Sequence, residues 1–139
     1  MSFLRSRRDA LKTFALALLA ACDSVVARLK GRRLVAVTAA SSVTADSAHR
    51  STVEDQPIIV VRDGGKVRAF LALCTHEGCP LGWNPTQRLI RCPCHGSAFS
   101  TAGRVVQGPA QNPLRELPTY VNRDSVMIDA GSLEISPRS

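Results

Sequence analysis

Two short stretches of this 139-residue chain hold four of its five cysteines and two of its three histidines. The first stretch, CTHEGC, covers residues 74–79, and the second, CPCHGS, covers residues 92–97. Cysteines and histidines this close together either bind a metal or cross-link the chain, and both functions hold separate loops against each other. We therefore expect the chain to fold around these two stretches.

The rest of the chain has the pattern of a β protein. From Leu34 onward, short β-branched runs alternate with turn residues, and the clearest pair, 58–61 and 67–73, flanks an Asp-Gly-Gly turn at 63–65. Further short strands are predicted at 88–92, 104–106, 119–121, 125–128 and 133–135, with a turn at 122–124. The pattern predicts an all-β domain over residues 34–139, a small antiparallel sandwich or barrel.

Composition and charge limit the possible functions. The chain is long enough for one domain with a core, and its scarce aromatic residues mean that Val, Leu, Ile and Ala must fill that core. Of the formal charge of +7, a local excess lies within the first twelve residues, and the other basic residues are scattered. Nucleic-acid binding needs clustered basic residues, so no nucleic-acid partner is expected.

The N-terminus has the build of an export signal. A basic start is followed by an apolar run of about ten residues, Thr13 to Cys22, whereas a membrane span needs about twenty. Residues 6–12, SRRDALK, resemble a twin-arginine signal except at Ala10, where Phe is usual. Residues 19–22, LAAC, resemble a bacterial lipobox, which implies lipidation of Cys22; the alternative is an ordinary signal with a chance cysteine.

These resemblances imply a division of the chain and a location. Residues 1–22 would be the signal, residues 23–33 a tether, and residues 34–139 the folded domain. The protein would be exported across the bacterial cytoplasmic membrane to its periplasmic or extracytoplasmic face. There it would be tethered to the membrane through its N-terminus.

Each Cys/His stretch offers one thiolate and one imidazole at short spacing: Cys74 with His76, and Cys92 with His95. Zinc accepts such a set in a tetrahedral site. A 2Fe–2S cluster accepts it too, with two sulfurs on one iron and two nitrogens on the other. Both metals remain open on this pattern alone.

Each stretch also contains one cysteine more than a zinc finger uses. A disulfide between these spare residues, Cys79 and Cys94, would join the two loops and, by closing about fifteen residues, stabilise the fold by roughly 3 kcal/mol. Such a bond needs an oxidising compartment, which export would supply.

The stretches CTHEGC and CPCHGS, with GPA at 108–110, strongly resemble the Rieske iron–sulfur family, in the disulfide-bearing branch of cytochrome bc-type quinol oxidoreductases. The resemblance covers residues 57–129 and implies a small antiparallel β domain with one 2Fe–2S cluster. It implies that Cys74 and Cys92 bind one iron, that His76 and His95 bind the other, and that Cys79 and Cys94 form the disulfide.

The same resemblance implies supporting roles for nearby residues. Gly78 and Gly96 would let backbone N–H groups approach the cluster sulfurs, and Ser97 would donate its hydroxyl to a bridging sulfur. Residues 108–110 would be the loop that covers the cluster from a third side. Outside these loops, His49 is expected at the surface and Trp83 under a ligand loop.

One departure from the family bears on the partner. Glu77 lies where quinol-oxidising members usually carry an apolar residue that helps the cluster tip dock in an apolar pocket. A carboxylate there would oppose such docking unless the partner is basic; alternatively, it is simply solvated.

The resemblance therefore implies an exported electron-transfer protein, the iron–sulfur subunit of a quinol–cytochrome c (bc-type) oxidoreductase. Its partners would be cytochrome b/c-type proteins or a larger oxidoreductase subunit. The alternatives are a small Rieske subunit of another periplasmic oxidoreductase, a stand-alone Rieske ferredoxin, and, more distantly, a structural zinc or disulfide domain. No catalytic residue is expected outside the loops, so the chain by itself would carry electrons.

A second departure generates a prediction. High-potential family members carry Tyr at the position of Phe99, where the hydroxyl donates to a ligand sulfur and stabilises the reduced cluster. We expect Phe99→Tyr to raise the midpoint potential in a redox titration. An unchanged or lower potential would contradict this role.

Overall fold

In the computed structural model, the described residues 32–134 form eleven β-strands and two short 3₁₀ turns, with no α-helix among them. The strands are β1 (Leu34–Ala39), β2 (Ala48–Val53), β3 (Gln56–Asp63), β4 (Lys66–Leu71), β5 (Gly82–Asn84), β6 (Leu89–Arg91), β7 (Ala98–Phe99), β8 (Val105–Gln107), β9 (Glu116–Leu117), β10 (Thr119–Asn122) and β11 (Ser125–Asp129). The 3₁₀ turns are Ala40–Ser42 and Ala130–Leu133.

The strands form three sheets, in the orders β1-β11-β10, β2-β3-β4-β9 and β5-β6-β7-β8. Every pairing between these strands is antiparallel. The predicted all-β antiparallel fold is confirmed.

Strand β3 lies in the middle sheet and supplies both hydrophobic cores. Ile58 and Val60 belong to one core, which also contains Val126 of the three-stranded sheet. Ile59 and Val61 point to the other core, which also contains Ile90 of the β5–β8 sheet. Four consecutive buried residues are therefore explained by a strand with apolar packing on both faces.

The β3–β4 hairpin is the sequence prediction that fits most closely. Asp63 pairs with Lys66, and Gly64 between them has a φ of +57°, as the turn residues require. The predicted strand at 133–135 is wrong at its described residues: Leu133 ends a 3₁₀ turn and Glu134 follows as a bend. The Asp129 carboxylate accepts the N–H of Gly131 there, which favours a turn over an extended chain.

Five strands, β1, β2, β5, β7 and β9, had no predicted range. The sequence AHRSTV of β2 lacks a clear apolar alternation, and β7 and β9 contain two residues each. Strand β9 is set by pairing with a strand distant in sequence, as Ala69 pairs with Leu117, whereas β2, β5 and β7 pair with strands adjacent in the chain.

The predicted signal, tether and lipidation site at Cys22 lie outside residues 32–134, apart from the last two tether residues. Within the described part, no helix has the length and hydropathy needed to cross a bilayer.

Gly103 permits a close approach on which the second core depends. It has a φ of +75°, and a Cβ built there would lie 2.5 Å from Cε1 of the fully buried Phe70. We expect Gly103→Ala to lower the free energy of unfolding by about 2–4 kcal/mol, from backbone strain and overpacking together.

The measurement is thermal unfolding of the holoprotein followed by circular dichroism. Gly65→Ala is the matched control, because nothing lies within 4 Å of a Cβ built at Gly65. Equal unfolding temperatures for the two variants would show that the Phe70 ring shifts to accommodate the added methyl group without loss of stability.

Candidate metal centre

Both Cys/His stretches lie in loops that lead into strands of the β5–β8 sheet. Residues 74–81, here called loop 1, connect β4 to β5, and residues 92–97, called loop 2, connect β6 to β7. An isolated bridge between Leu73 and Pro80 closes the base of loop 1, and pairing of Arg91 with Ala98 closes the base of loop 2. Strand pairing thus sets where each loop begins and ends.

The two loops share one backbone hydrogen-bond pattern. In loop 1, Cys74 N–H donates to Cys79 O at 2.8 Å and Gly78 N–H donates to Cys74 O at 2.7 Å. In loop 2, Cys92 N–H donates to the carbonyl of Ser97 at 2.8 Å.

The N–H of Gly96 completes the match by donating to Cys92 O at 3.2 Å. Gly78 and Gly96 have φ values of +74° and +80°, which a residue with a side chain rarely adopts. Each loop is thus a tight turn around its first cysteine. The common Cys-x₃-Gly spacing is the signal from which this likeness could be predicted.

A disulfide joins the loops. Cys79 and Cys94 are bonded, with an S–S distance of 2.08 Å and Cα atoms 6.5 Å apart. The bond therefore links the end of loop 1 to the middle of loop 2. It confirms the pairing that the family resemblance implied.

The two remaining cysteines of the described chain are free and buried, whereas the two loop histidines are exposed. Cys74 and Cys92 keep only 4% and 3% of their surface accessible. The rings of His76 and His95 lie edge to face, with centroids 5.2 Å apart. The site therefore has a buried thiol side and a solvent-facing imidazole side.

Sulfur proximity alone does not identify the ligands. The sulfurs of Cys79, Cys92 and Cys94 lie within 4.8 Å of one another, but two of them are bonded in the disulfide and cannot act as thiolates. Among the described residues, the thiols that are free to bind a metal are those of Cys74 and Cys92. Together with His76 and His95 they form a two-sulfur, two-nitrogen donor set, which fits a mixed-ligand 2Fe–2S cluster.

Glu77 contacts the imidazole side. Its Oε2 lies 3.5 Å from Nδ1 of His95, and one carboxylate oxygen lies within 4.8 Å of a nitrogen of each histidine. The sequence placed Glu77 beside His76; the fold also brings it to His95. All three side chains are exposed, so water screens this contact.

A third segment, residues 108–115 between β8 and β9, forms hydrogen bonds with both loops. The amide of Ala110 donates to Oγ of the fully buried Ser97 at 3.0 Å, and Thr75 Oγ1 donates to Asn112 O at 2.7 Å. The Gly108–Pro109 peptide bond is cis. Residues 108–110 were predicted to flank the site, but the Thr75 contact had no signal in the sequence.

Trp83 and His49, also singled out by sequence, lie outside both loops. Trp83 packs against the core cluster that contains Cys74 and Cys92, as predicted, and its Nε1 donates to Asp46 O at 3.0 Å. His49 is half-buried on β2, outside both loops.

This fold and donor set define a class of small β proteins that hold an iron–sulfur cluster between two Cys/His loops. The chain belongs to the Rieske [2Fe-2S] domain family, whose model matches residues 33–120. Its cofactor is accordingly a 2Fe–2S cluster rather than structural zinc.

Curated relatives include iron–sulfur subunits of the cytochrome b6-f complex. The subunit of Chlorobaculum tepidum is 32% identical over 68% of this chain and 52% of its own length. Subunit 2 of Trichormus variabilis is 41% identical over 58% of this chain and 46% of its own length. The chain thus spans about half the length of these relatives.

Among solved structures, the plasma membrane Rieske protein PetC3 of Synechocystis is similar, with 30% identity and a TM-score of 0.63 over 68% of this chain and 98% of its own. A ferredoxin of Sphingomonas yanoikuyae is also similar, with 25% identity and a TM-score of 0.59 over 70% of this chain and 98% of its own.

The buried hydroxyl of Ser97 generates a prediction. Its oxygen accepts the Ala110 N–H, so its own proton is left to donate toward the cluster sulfurs. We expect Ser97→Ala to lower the midpoint potential, because the reduced cluster loses a donor. The unpaired Ala110 amide should also cost about 1–3 kcal/mol of stability.

Redox titration and thermal unfolding of the holoprotein measure the two effects. Ser125→Ala, at an exposed position of β11, is the control and should change neither quantity. A lower stability with an unchanged potential would limit Ser97 to a structural role.

Proposed function

We propose that the protein is a one-electron carrier in which Cys74 and Cys92 bind one iron of the cluster and His76 and His95 bind the other. The observation that carries this proposal is the disposition of the donors: two free buried thiols and two exposed imidazoles, on loops joined by a disulfide. When bound, the cluster supplies a one-electron couple at a potential above that of all-cysteine clusters.

Burial and exposure of the donor residues determine from which side a partner protein can approach the cluster. Burial of Cys74 and Cys92 keeps solvent from the sulfur side. Exposure of His76 and His95 presents the imidazole edge to a partner. Electron exchange is therefore expected through the histidine side and the loop surfaces beside it.

The partner we favour is a cytochrome b/c-type protein, with this chain as the iron–sulfur subunit of a bc-type quinol oxidoreductase. The support is the similarity to b6-f subunits, at 32% to 42% identity. Glu77 on the imidazole side weighs against an apolar docking pocket, as the sequence indicated.

A stand-alone carrier is the second candidate. The similarity to PetC3 and to the Sphingomonas ferredoxin extends over 98% of each of those chains, whereas it extends over about half of the b6-f subunits. A Rieske domain of this size therefore also occurs in proteins described as ferredoxins.

Export to the periplasmic face of the membrane completes the proposal. The disulfide between Cys79 and Cys94 supports it, because such bonds persist in oxidising compartments. The twin-arginine-like segment would direct export, and lipidation of Cys22 would tether the protein. Mass spectrometry of the mature N-terminus in the native host tests both.

Electron paramagnetic resonance of the dithionite-reduced protein tests the ligand assignment. We expect a Rieske spectrum that His95→Gln abolishes together with most of the bound iron. His49→Gln is the matched control, because His49 lies outside both loops. Zinc in the metal analysis and no signal from the unmodified protein would overturn the proposal.

A redox titration across pH then separates the two candidates. A high midpoint potential that falls as pH rises favours a protein that oxidises quinol and has exposed histidine ligands. A low midpoint favours the ferredoxin-like carrier.

A further inference from the structure

A groove of about 740 Å³ runs beside loop 2. Cys92, Pro93 and Gly96 of loop 2 line it, and Trp83 of β5 lies on its wall. The backbone that carries a proposed iron ligand is therefore also a wall of this groove. Whatever occupies the groove contacts the loop that holds the cluster.

The groove is positively charged. Arg50 of β2 and Arg91 of β6 both line it, and none of its lining residues carries a carboxylate. Neither arginine forms an ion pair with any residue in the part of the chain that the structure describes.

Some other arginines of the domain, in contrast, are paired with carboxylates. Arg68 pairs with Asp63 at 2.9 Å and with Glu116 at 2.8 Å, and Arg88 pairs with Asp46 at 2.7 Å. The charge of Arg50 and Arg91 is thus left available to a ligand outside the chain, in a groove that includes loop 2 residues.

A second groove, of about 500 Å³ along loop 1, contains one charge of each sign. Glu77 lies there with His76, and Arg115 and Leu71 also line it. A partner therefore meets two arginines without a carboxylate in the groove beside loop 2, and a carboxylate balanced by one arginine in the groove along loop 1. Such polarity favours one orientation of a charged partner over its reverse.

We propose that the groove of Arg50 and Arg91 is a docking site for the acidic face of the protein that exchanges electrons with this domain. The inference rests on the proposed function, because it places an electron partner against loop 2. Carboxylates of the partner would pair with the two guanidinium groups, which suit bidentate carboxylate recognition. One electron leaves the reduced cluster for a one-electron acceptor in the partner, and no bond forms or breaks.

The test measures electron transfer from the reduced holoprotein to two oxidised probes. Plastocyanin, a blue copper protein with an acidic face, takes one electron as Cu(II) becomes Cu(I); mitochondrial cytochrome c has a basic face and takes one electron at its haem. For the unmodified protein, we expect the second-order rate with plastocyanin to fall as ionic strength rises.

The variant is Arg50→Gln combined with Arg91→Gln. We expect it to lower the plastocyanin rate at low ionic strength by at least about threefold and to remove most of the salt dependence, because loss of docking charge acts on association. The rate with cytochrome c should stay equal or increase. The matched control Arg123→Gln removes one charge from the β10–β11 turn, outside the groove, and should leave both rates unchanged.

A second readout does not depend on electron transfer. Trp83 is the only tryptophan of the chain and lines the groove, so its fluorescence should change when a tryptophan-free hexaglutamate peptide binds. The double variant should lose this response. If inorganic phosphate produces it equally well, the groove is an anion site rather than a protein docking site, which would overturn the proposal.

The outcomes separate the two proposals. Absence of a Rieske spectrum overturns the proposed function whatever the groove does. A normal spectrum with a plastocyanin rate that is insensitive to the double variant, or lowered equally by Arg123→Gln, overturns the docking inference alone.

Discussion

The disulfide between Cys79 and Cys94 is the constraint on which the site depends, because it holds together the two loops that carry the donors. Each loop is a tight turn closed on its own cysteine, and strand pairing holds its base. Neither turn alone sets the position of the other. The covalent link brings the two turns into one site, and hydrogen bonds with residues 110 and 112 hold both turns to the same third segment.

The domain has two hydrophobic cores, and only one of them contains donor residues of the site. The core between the middle and three-stranded sheets contains no residue of either loop. The core on the other face of the middle sheet contains Cys74 and Cys92 together with Phe70 and Ile90. Gly103 packs against Phe70, which lies in the same core as the two thiols. A substitution at Gly103 therefore disturbs the core that holds the donors, whereas a substitution in the three-stranded sheet does not contact them.

Accessibility and charge then divide the surface of the site. Buried thiols face the core, exposed imidazoles face solvent, and the flank of loop 2 carries two arginines without a carboxylate among the lining residues. An electron carrier needs this combination: a cofactor shielded on one side, an edge near the surface, and a charge pattern that orients its partner. The groove adds the third element to the two that the donor set provides.

The sequence by itself determined the donor types, the spare cysteine pair, the β class and the central hairpin. Each of these depends on residue chemistry or on contacts close in the chain, such as the Asp-Gly-Gly turn. Only the tertiary structure decided that Glu77 reaches His95, that Thr75 bonds to Asn112, and that Arg50 and Arg91 share a groove with loop 2. These contacts join residues from different strands and loops, which strand pairing, sheet packing and the disulfide bring together.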